Sequence, residues 1–158
     1  MNVSQLFPPC HIDDCPQAGE THHHILPHQQ ELLDSTERVV ALVGGYGSAK
    51  TAAMCAMGHL LSTSIRGNMG IVIRRSLPKL RDSTQRIYLE ILDRAKTDVE
   101  FREVRDGWPG RIIYRETGSE TVFRESKDLG RFLGPEYGGF GADEAQEEPE
   151  KVLKDLMG

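Results

Sequence analysis

A glycine-rich stretch that ends in lysine and threonine is the part of this sequence whose residue types and spacing best indicate chemistry. It reads Gly44-Gly45-Tyr46-Gly47-Ser48-Ala49-Lys50-Thr51. Its glycines permit backbone angles at which successive N–H groups turn inward around phosphate oxygens. Lys50 would then reach the β- and γ-phosphates of a nucleotide, and the Thr51 hydroxyl would hold Mg²⁺. These residues therefore predict a phosphate-binding loop.

The residues on either side of the loop support this prediction. The apolar run 39–43 predicts a buried strand that enters the loop, and helix-prone residues continue from the loop to about Ser64. The positive end of that helix would face the phosphates. Ala49 stands where the usual pattern has glycine. A methyl group restricts the backbone there but keeps the N–H, so we expect a loop with altered affinity.

Two adjacent acids, Asp143 and Glu144, form the second chemical landmark. They follow the small and apolar residues 137–142, which predict a strand. A strand that ends in Asp143 would bring this carboxylate beside Thr51, where it can hold Mg²⁺ through water. Glu144 could orient and activate a water molecule for attack on the γ-phosphate. The alternative is two solvated acids at the start of a helix over residues 147–157, where negative charge suits the helix dipole.

The segments between the two landmarks alternate between helical and extended patterns. They predict an α/β fold: a mostly parallel sheet flanked by helices, with a β-hairpin insertion. The predicted elements are a helix over 28–35, a strand over 69–73, a helix capped by Asp82, Ser83 or Thr84, a strand over 99–102, and a hairpin whose strands are 111–115 and 121–124.

Composition limits the function classes. The chain has 158 residues, of which 38% are hydrophobic and 27% charged, and these fractions indicate a globular domain. The net charge of −5 argues against a surface coated with positive charge for nucleic acid. No apolar run reaches about 18 residues, and no secretory signal is visible. Three cysteines give no disulfide framework, which favours a reducing cytoplasm.

Residues 1–27 predict an irregular lead-in, because prolines interrupt them and apolar periodicity is weak. They contain soft metal ligands, which are Cys10, His11, Cys15 and the run His22-His23-His24. Structural zinc sites usually combine two closely spaced ligand pairs. Here the two cysteines, Cys10 and Cys15, do not have that spacing, and the histidines 22–24 are adjacent rather than spaced. We therefore expect no tightly bound zinc, although a zinc-dependent scaffold is an alternative.

With these motifs in place, the sequence resembles the large terminase subunits of tailed bacteriophages, the ATP-driven motors that package DNA into procapsids. The resemblance covers nearly everything after Leu26 and rests on the order of several short motifs. These are Leu26-Pro27-His28-Gln29-Gln30, the loop 44–51, Arg74-Arg75-Ser76, Leu80-Arg81-Asp82-Ser83, Thr117-Gly118-Ser119, Leu133-Gly134-Pro135-Glu136-Tyr137 and Asp143-Glu144-Ala145.

The resemblance implies a role for each landmark residue. Lys50 and Thr51 would bind phosphate and Mg²⁺, Asp143 would complete the metal site, and Glu144 would be the catalytic carboxylate. Gln29 matches the glutamine that reads adenine in such motors, which predicts a preference for ATP over GTP. The cofactors implied are ATP and Mg²⁺.

Further expectations concern the residues around the loop. Gln30 is the second candidate for the adenine contact. Tyr46 stands where some family members carry an arginine. The arginine that stabilises charge during hydrolysis would then come from elsewhere, and Arg74, Arg75 and a neighbouring subunit are alternatives.

The resemblance also implies a P-loop NTPase fold of the additional-strand, catalytic-glutamate type. In that architecture a further strand, later in the chain than Asp143, lies between the loop strand and the Asp143 strand. We therefore expect residues 28–158 to be the N-terminal part of an ATPase domain, with an incomplete sheet and without the family's nuclease domain. Alone, such a piece should be weakly stable, prone to aggregate and nearly inactive.

The function that the sequence favours is ATP hydrolysis coupled to packaging of viral DNA. Double-stranded DNA, a small terminase subunit, a portal protein and a homo-oligomeric ring are the implied partners, with no membrane, in the cytoplasm of a bacterial host. The alternatives are a helicase-like ATPase, a small-molecule kinase, or a module that binds nucleotide without turnover. A small-molecule kinase would need a lid, and the sequence contains no arginine-rich lid segment. Glu144 argues against a module that binds nucleotide without turnover.

Overall fold

The chain forms an α/β fold in which helices cover both faces of a five-stranded sheet. The structure is a computed structural model that describes residues 6–7, 25–45, 48–131 and 137–157. None of the helices in these ranges is long and apolar enough to cross a membrane. The elements are α1 (Pro27–Asp34), α2 (Lys50–Ser64), β1 (Met69–Arg74), α3 (Leu77–Lys79), a π-helical segment (Leu80–Gln85), α4 (Arg86–Arg94), β2 (Val99–Arg102), β3 (Arg111–Tyr114), β4 (Glu120–Glu125), β5 (Gly139–Ala142) and α5 (Glu150–Met157), with 3₁₀ turns at Ser126–Arg131 and Ala145–Glu147.

The strand order β2-β3-β4-β1-β5 combines a parallel part with a hairpin. β1 pairs in parallel with β4 on one side and with β5 on the other. β3 pairs antiparallel with both β2 and β4. The predicted α/β fold, with its helix-flanked sheet and its hairpin insertion, is confirmed. The carboxyl ends of β1 and β5 lie side by side, which brings Arg74 close to the residues that follow Ala142.

Side chains alternate across β1, and this alternation separates the apolar core from a second cluster on the opposite face. Val72 joins the main core, which α2 and α4 cover. Ile71 and Ile73 point the other way and pack against α5. Arg74 therefore lies on the α2 side of the sheet. The continuous apolar run of this strand follows from burial on both faces.

The buried face of α2 is more polar than the sequence suggested. The sequence predicts an apolar stripe through Ala53, Met57, Leu60 and Leu61, but of these Ala53 is buried and the other three are half-buried. The buried face of α2 includes His59 and Ser62 instead, each about 1% exposed. These two polar side chains enter the core because hydroxyl groups of the sheet are their hydrogen-bond partners.

A chain of hydrogen bonds joins these groups inside the core. The Tyr88 hydroxyl lies 2.8 Å from that of Tyr114 and 2.9 Å from Oγ1 of Thr121. His59 Nδ1 lies 3.3 Å from the Tyr114 hydroxyl, and Ser62 Oγ lies 3.2 Å from Thr121 Oγ1. Burial lowers the pKa of His59 to about 4, so this ring is neutral in the folded chain at neutral pH.

The C-terminal end of α2 is bound to the turn between β3 and β4. Thr117 Oγ1 donates a hydrogen bond of 2.7 Å to the carbonyl of Ser62, and Ser119 Oγ donates one of 2.6 Å to the carbonyl of Ile65. The N–H of Gly67 in turn donates to the carbonyl of Thr117. The hairpin turn therefore caps the helix that begins at the glycine-rich loop.

The predicted strand over residues 39–43 is not formed. Val39 and Val40 are about half exposed, and Val43 is 95% exposed. A β-type sequence becomes a strand only beside a partner that completes its ladder. The described residues place no strand between this segment and the outer edge of β5. Arg38 ties the segment to α5 instead, through a 2.7 Å hydrogen bond from Nη2 to the carbonyl of Met157.

The helix after β1 begins earlier than its predicted cap. α3 starts at Leu77, with Pro78 in its first turn, where a missing N–H costs little. The chain continues through the π-helical segment, in which the N–H of Arg86 reaches the carbonyl of Arg81, five residues back. Ser83 and Thr84 therefore lie inside a helical stretch rather than at its start, and their hydroxyls make tertiary contacts.

Candidate functional site

The ammonium group of Lys50 lies within the loop that precedes it. It donates hydrogen bonds of 2.7 Å and 2.8 Å to the carbonyls of Gly44 and Gly45, and one of 2.9 Å to Ser48 Oγ. Ser48 Oγ also donates to the Gly45 carbonyl, at 2.8 Å. Lys50 is the first residue of α2, so its charge lies at the positive end of that helix. Tyr46 and Gly47 lie outside the described residues.

Helix α1 braces the loop, and this contact was not foreseen from the sequence. His28 Nε2 donates a 2.8 Å hydrogen bond to the carbonyl of Ser48, and Gln29 Nε2 donates one of 3.2 Å to that of Ala49. Gln29 Oε1 accepts a 2.9 Å hydrogen bond from the N–H of Leu26, the residue before α1, which is one half of a capping box. A glutamine three residues after the helix cap was the available sequence signal for this arrangement.

The predicted adenine contact therefore involves a residue that is already engaged. Gln29 is 2% exposed, and both ends of its amide have backbone partners. The side chain of Gln30 is exposed and donates to Asp34 Oδ1 at 2.8 Å. Adenine recognition by either residue stays a prediction, and for Gln29 it requires exchange of at least one of these hydrogen bonds.

Ala49 has a left-handed backbone conformation, with φ 53° and ψ 28°. Side chains other than glycine adopt it at a cost, because Cβ approaches the backbone. This is the position at which the usual loop pattern has glycine. The brace from Gln29 holds the Ala49 carbonyl, so the loop keeps a conformation that its sequence disfavours.

The carboxylate of Asp143 lies at the centre of the site. It directly follows β5, is 8% exposed, and its N–H donates to the carbonyl of Ile73 in β1. Thr51 Oγ1 donates a 2.9 Å hydrogen bond to Asp143 Oδ1 across 92 residues of sequence. This contact places the two predicted metal-binding residues side by side. Gly141 of β5 lets α2 approach, since an added Cβ would lie 2.9 Å from Met54 Sδ.

Two further side chains hold the other oxygen of Asp143. Arg74 Nη1 donates to Oδ2 at 3.0 Å, and Thr84 Oγ1 donates to the same atom. Arg74 Nη1 also contacts Ser83 Oγ. No pattern in the sequence indicated that Thr84 would join the site, because its only visible role was as a helix cap.

Arg74 and its neighbour Arg75 point to different places. The Arg74 side chain is 12% exposed, and its Nη2 lies 3.8 Å from Glu144 Oε1. Its Nε is buried and has no hydrogen-bond partner among the residues that the structure describes. Arg75 is exposed, and its Nη1 donates to the carbonyl of Glu147 at 3.0 Å. Of the two arginines of this chain named from the sequence, Arg74 lies within the cluster around Asp143.

Glu144 lies at the edge of this cluster. Its side chain is 40% exposed, its backbone is left-handed with φ 57°, and its Oε2 accepts a hydrogen bond from Gln146. Strained backbone of this kind often occurs at functional sites, where surrounding contacts maintain it. The carboxylate is therefore accessible and adjacent to Asp143, as a water-orienting group must be.

Cys55, one turn after Thr51 on α2, has an unreactive thiol. Its Sγ donates to the carbonyl of Thr84 at 3.6 Å, and it is fully buried. Burial, followed by the negative charge of Asp143, raises the pKa of the thiol well above its ordinary value. Cys55 thus contributes packing beneath the site and not a nucleophile.

The oxygen groups of the site fit Mg²⁺ better than a transition metal. Thr51 and Asp143 offer a hydroxyl and a carboxylate, and Mg²⁺ typically takes one or two protein oxygens and completes its shell with water and phosphate. Within the ranges that the structure describes, no group of three or more His, Cys, Asp or Glu side chains is placed to hold a metal. The metal-ligand types of the N-terminal segment, which are Cys10, His11, Cys15 and residues 22–24, lie outside those ranges, so the expectation of no tightly bound zinc stays a prediction.

Comparison with known proteins supports the fold alone. No family model matches the sequence, and no curated protein matches it. A solved structure with a similar fold is that of the large terminase from a thermophilic bacteriophage, with a TM-score of 0.69 and 13% sequence identity. The match covers 82% of this chain and 34% of that terminase, so the chain spans about a third of its length.

Proposed function

We propose that this chain binds Mg-ATP and hydrolyses it as the motor portion of a phage large terminase, coupling hydrolysis to packaging of DNA. The observation that supports this most is the 2.9 Å hydrogen bond between Thr51 and Asp143. It joins the predicted loop to the predicted acidic pair in a fold similar to a large terminase.

Each residue of the site has a role in this proposal. The N-terminal end of α2 and Lys50 would hold the phosphates, and Thr51 and Asp143 would hold Mg²⁺. When bound, Mg²⁺ neutralises charge that develops on the phosphate oxygens. Glu144 would orient the attacking water and accept its proton, and its exposed position leaves room for that water.

The partners follow from the proposed motor. Double-stranded DNA would be the translocated substrate, with a small terminase subunit and a portal protein as assembly partners in a bacterial cytoplasm. A homo-oligomeric ring would form around the DNA. Stimulation of ATP hydrolysis by double-stranded DNA would favour this function over a module that binds nucleotide without turnover.

Loss of the loop lysine tests the nucleotide site directly. Mg-ATP at about a hundred times its Kd should stabilise the wild type by about 2.7 kcal/mol, or about 5–10 °C in Tm. Lys50→Ala should lose this shift, because it removes the loop's ammonium group. Lys96→Ala, which removes an exposed lysine beyond the far end of α4, should keep it. An equal Mg-ATP shift in both variants would refute the site.

A further inference from the structure

Asp143 already has a cation beside it within the protein. The guanidinium of Arg74 lies 3.0 Å from Oδ2, and the two side chains are only 12% and 9% exposed. Charges this poorly solvated interact more strongly than surface charges do. The carboxylate that would hold the metal is therefore partly neutralised before any metal arrives.

The guanidinium is also anchored independently of Asp143. Its Nη1 donates to Ser83 Oγ and, at 3.4 Å, to the carbonyl of Lys79. Both partners come from the stretch formed by α3 and the π-helical segment. Its charge therefore stays next to the site whether or not Asp143 is turned toward a metal.

We propose that Arg74 acts as an internal counter-ion that competes with a divalent cation for Asp143 and so sets the metal affinity of the site. This inference rests on the proposed function, because the competing cation is the Mg²⁺ of the nucleotide. A doubly charged ion bound by Thr51 and Asp143 would meet the positive charge of Arg74 at short range. Arg74 is a positioning residue, and its effect is to weaken metal binding.

Thr84 provides an internal comparison. It donates to the same oxygen, Oδ2, but carries no charge. A purely structural role for the two side chains predicts that losing either one loosens Asp143 and weakens metal binding. Competition by charge predicts opposite results: loss of Arg74 tightens metal binding, and loss of Thr84 does not.

The experiment measures binding of Mn²⁺ alone, by the loss of the free-ion electron paramagnetic resonance signal. Arg74→Gln should bind Mn²⁺ at least about tenfold more tightly than the wild type, since one positive charge a few ångströms from the metal is removed. Arg75→Gln is the matched control, because it removes the same charge from a side chain directed at Glu147. It should stay within about twofold of the wild type.

Unchanged or weaker Mn²⁺ binding by Arg74→Gln overturns the proposal. So does equal tightening by Thr84→Val, because release of Oδ2 rather than charge would then be the cause. If Arg74→Gln does not fold, Arg74→Ala removes the same charge with a smaller side chain and must also tighten Mn²⁺ binding; unchanged binding there overturns the proposal.

The proposed function can fail separately. Suppose that Arg74→Gln and Arg75→Gln differ in Mn²⁺ binding as expected, but Mg-ATP does not stabilise the wild type. That result would refute nucleotide binding and leave the counter-ion role of Arg74 standing. A normal Mg-ATP response with no Mn²⁺ difference between Arg74→Gln and Arg75→Gln would do the reverse.

Discussion

Replacement of Ala49 by glycine should stabilise the protein. Ala49 has φ 53° and ψ 28°. A left-handed conformation costs a residue with a Cβ about 1–2 kcal/mol, whereas glycine loses about 0.5–1 kcal/mol more entropy than alanine on folding. The difference predicts a gain of about 0.5–1 kcal/mol in the free energy of unfolding, because the loop contacts from α1 use backbone carbonyls and remain in Ala49→Gly.

Thermal unfolding measures this gain, which corresponds to about 1–4 °C in Tm for a chain of this size. Lys96→Gly is the matched control, because Lys96 is also left-handed, at φ 49°, and follows α4, away from the loop. Its Tm should rise similarly. Ala49→Val should lower Tm, since a β-branched side chain fits this conformation worse than alanine does. A Tm that rises in Lys96→Gly and not in Ala49→Gly would refute the strain at residue 49.

Two other substitutions test the catalytic acid and the buried histidine. Glu144→Gln should retain Mg-ATP binding and, under conditions in which the wild type turns over ATP measurably, lose about 10²–10⁴ in hydrolysis rate, because the amide cannot accept a proton from water; normal turnover would assign that role to another group. The pKa of His59 is about 4 in the folded chain, below the ordinary value near 6.5, so the unfolded chain binds more protons between these values and stability falls as pH falls. Urea unfolding at pH 7 and pH 5 gives the decrease in the free energy of unfolding between these two pH values. This decrease should be about 2 kcal/mol smaller in His59→Gln than in the wild type, and an equal decrease in the two proteins would contradict the buried neutral ring.

Elements with a regular pattern over many residues could be predicted from the sequence. The helix after the loop, the strand at Met69–Arg74 and the hairpin all formed as expected. The pairing of Thr51 with Asp143 also followed from the two motifs, because the loop helix and the end of a neighbouring strand meet at one edge of a parallel sheet.

The predictions that were wrong share a physical cause: each depended on contacts with residues far away in the sequence. The apolar run at 39–43 has the composition of a strand, but composition supplies no ladder partner. Ser83 and Thr84 have the composition of helix caps, yet their hydroxyls serve Arg74 and Asp143, and the latter lies 59 residues beyond Thr84. The polar face of α2 was missed because His59 and Ser62 find their partners on the sheet, more than 50 residues later in the chain.

The attachment of α2 at both ends gives it a mechanical role. The helix has 15 residues and is therefore about 22 Å long. One end carries Lys50, and the other is bound to the hairpin turn through Thr117 and Ser119. A helix of this length is stiff along its axis, so a displacement of the glycine-rich loop along that axis would move the β3–β4 turn as well. The hairpin is therefore the place where a spectroscopic probe would report such a movement of the loop.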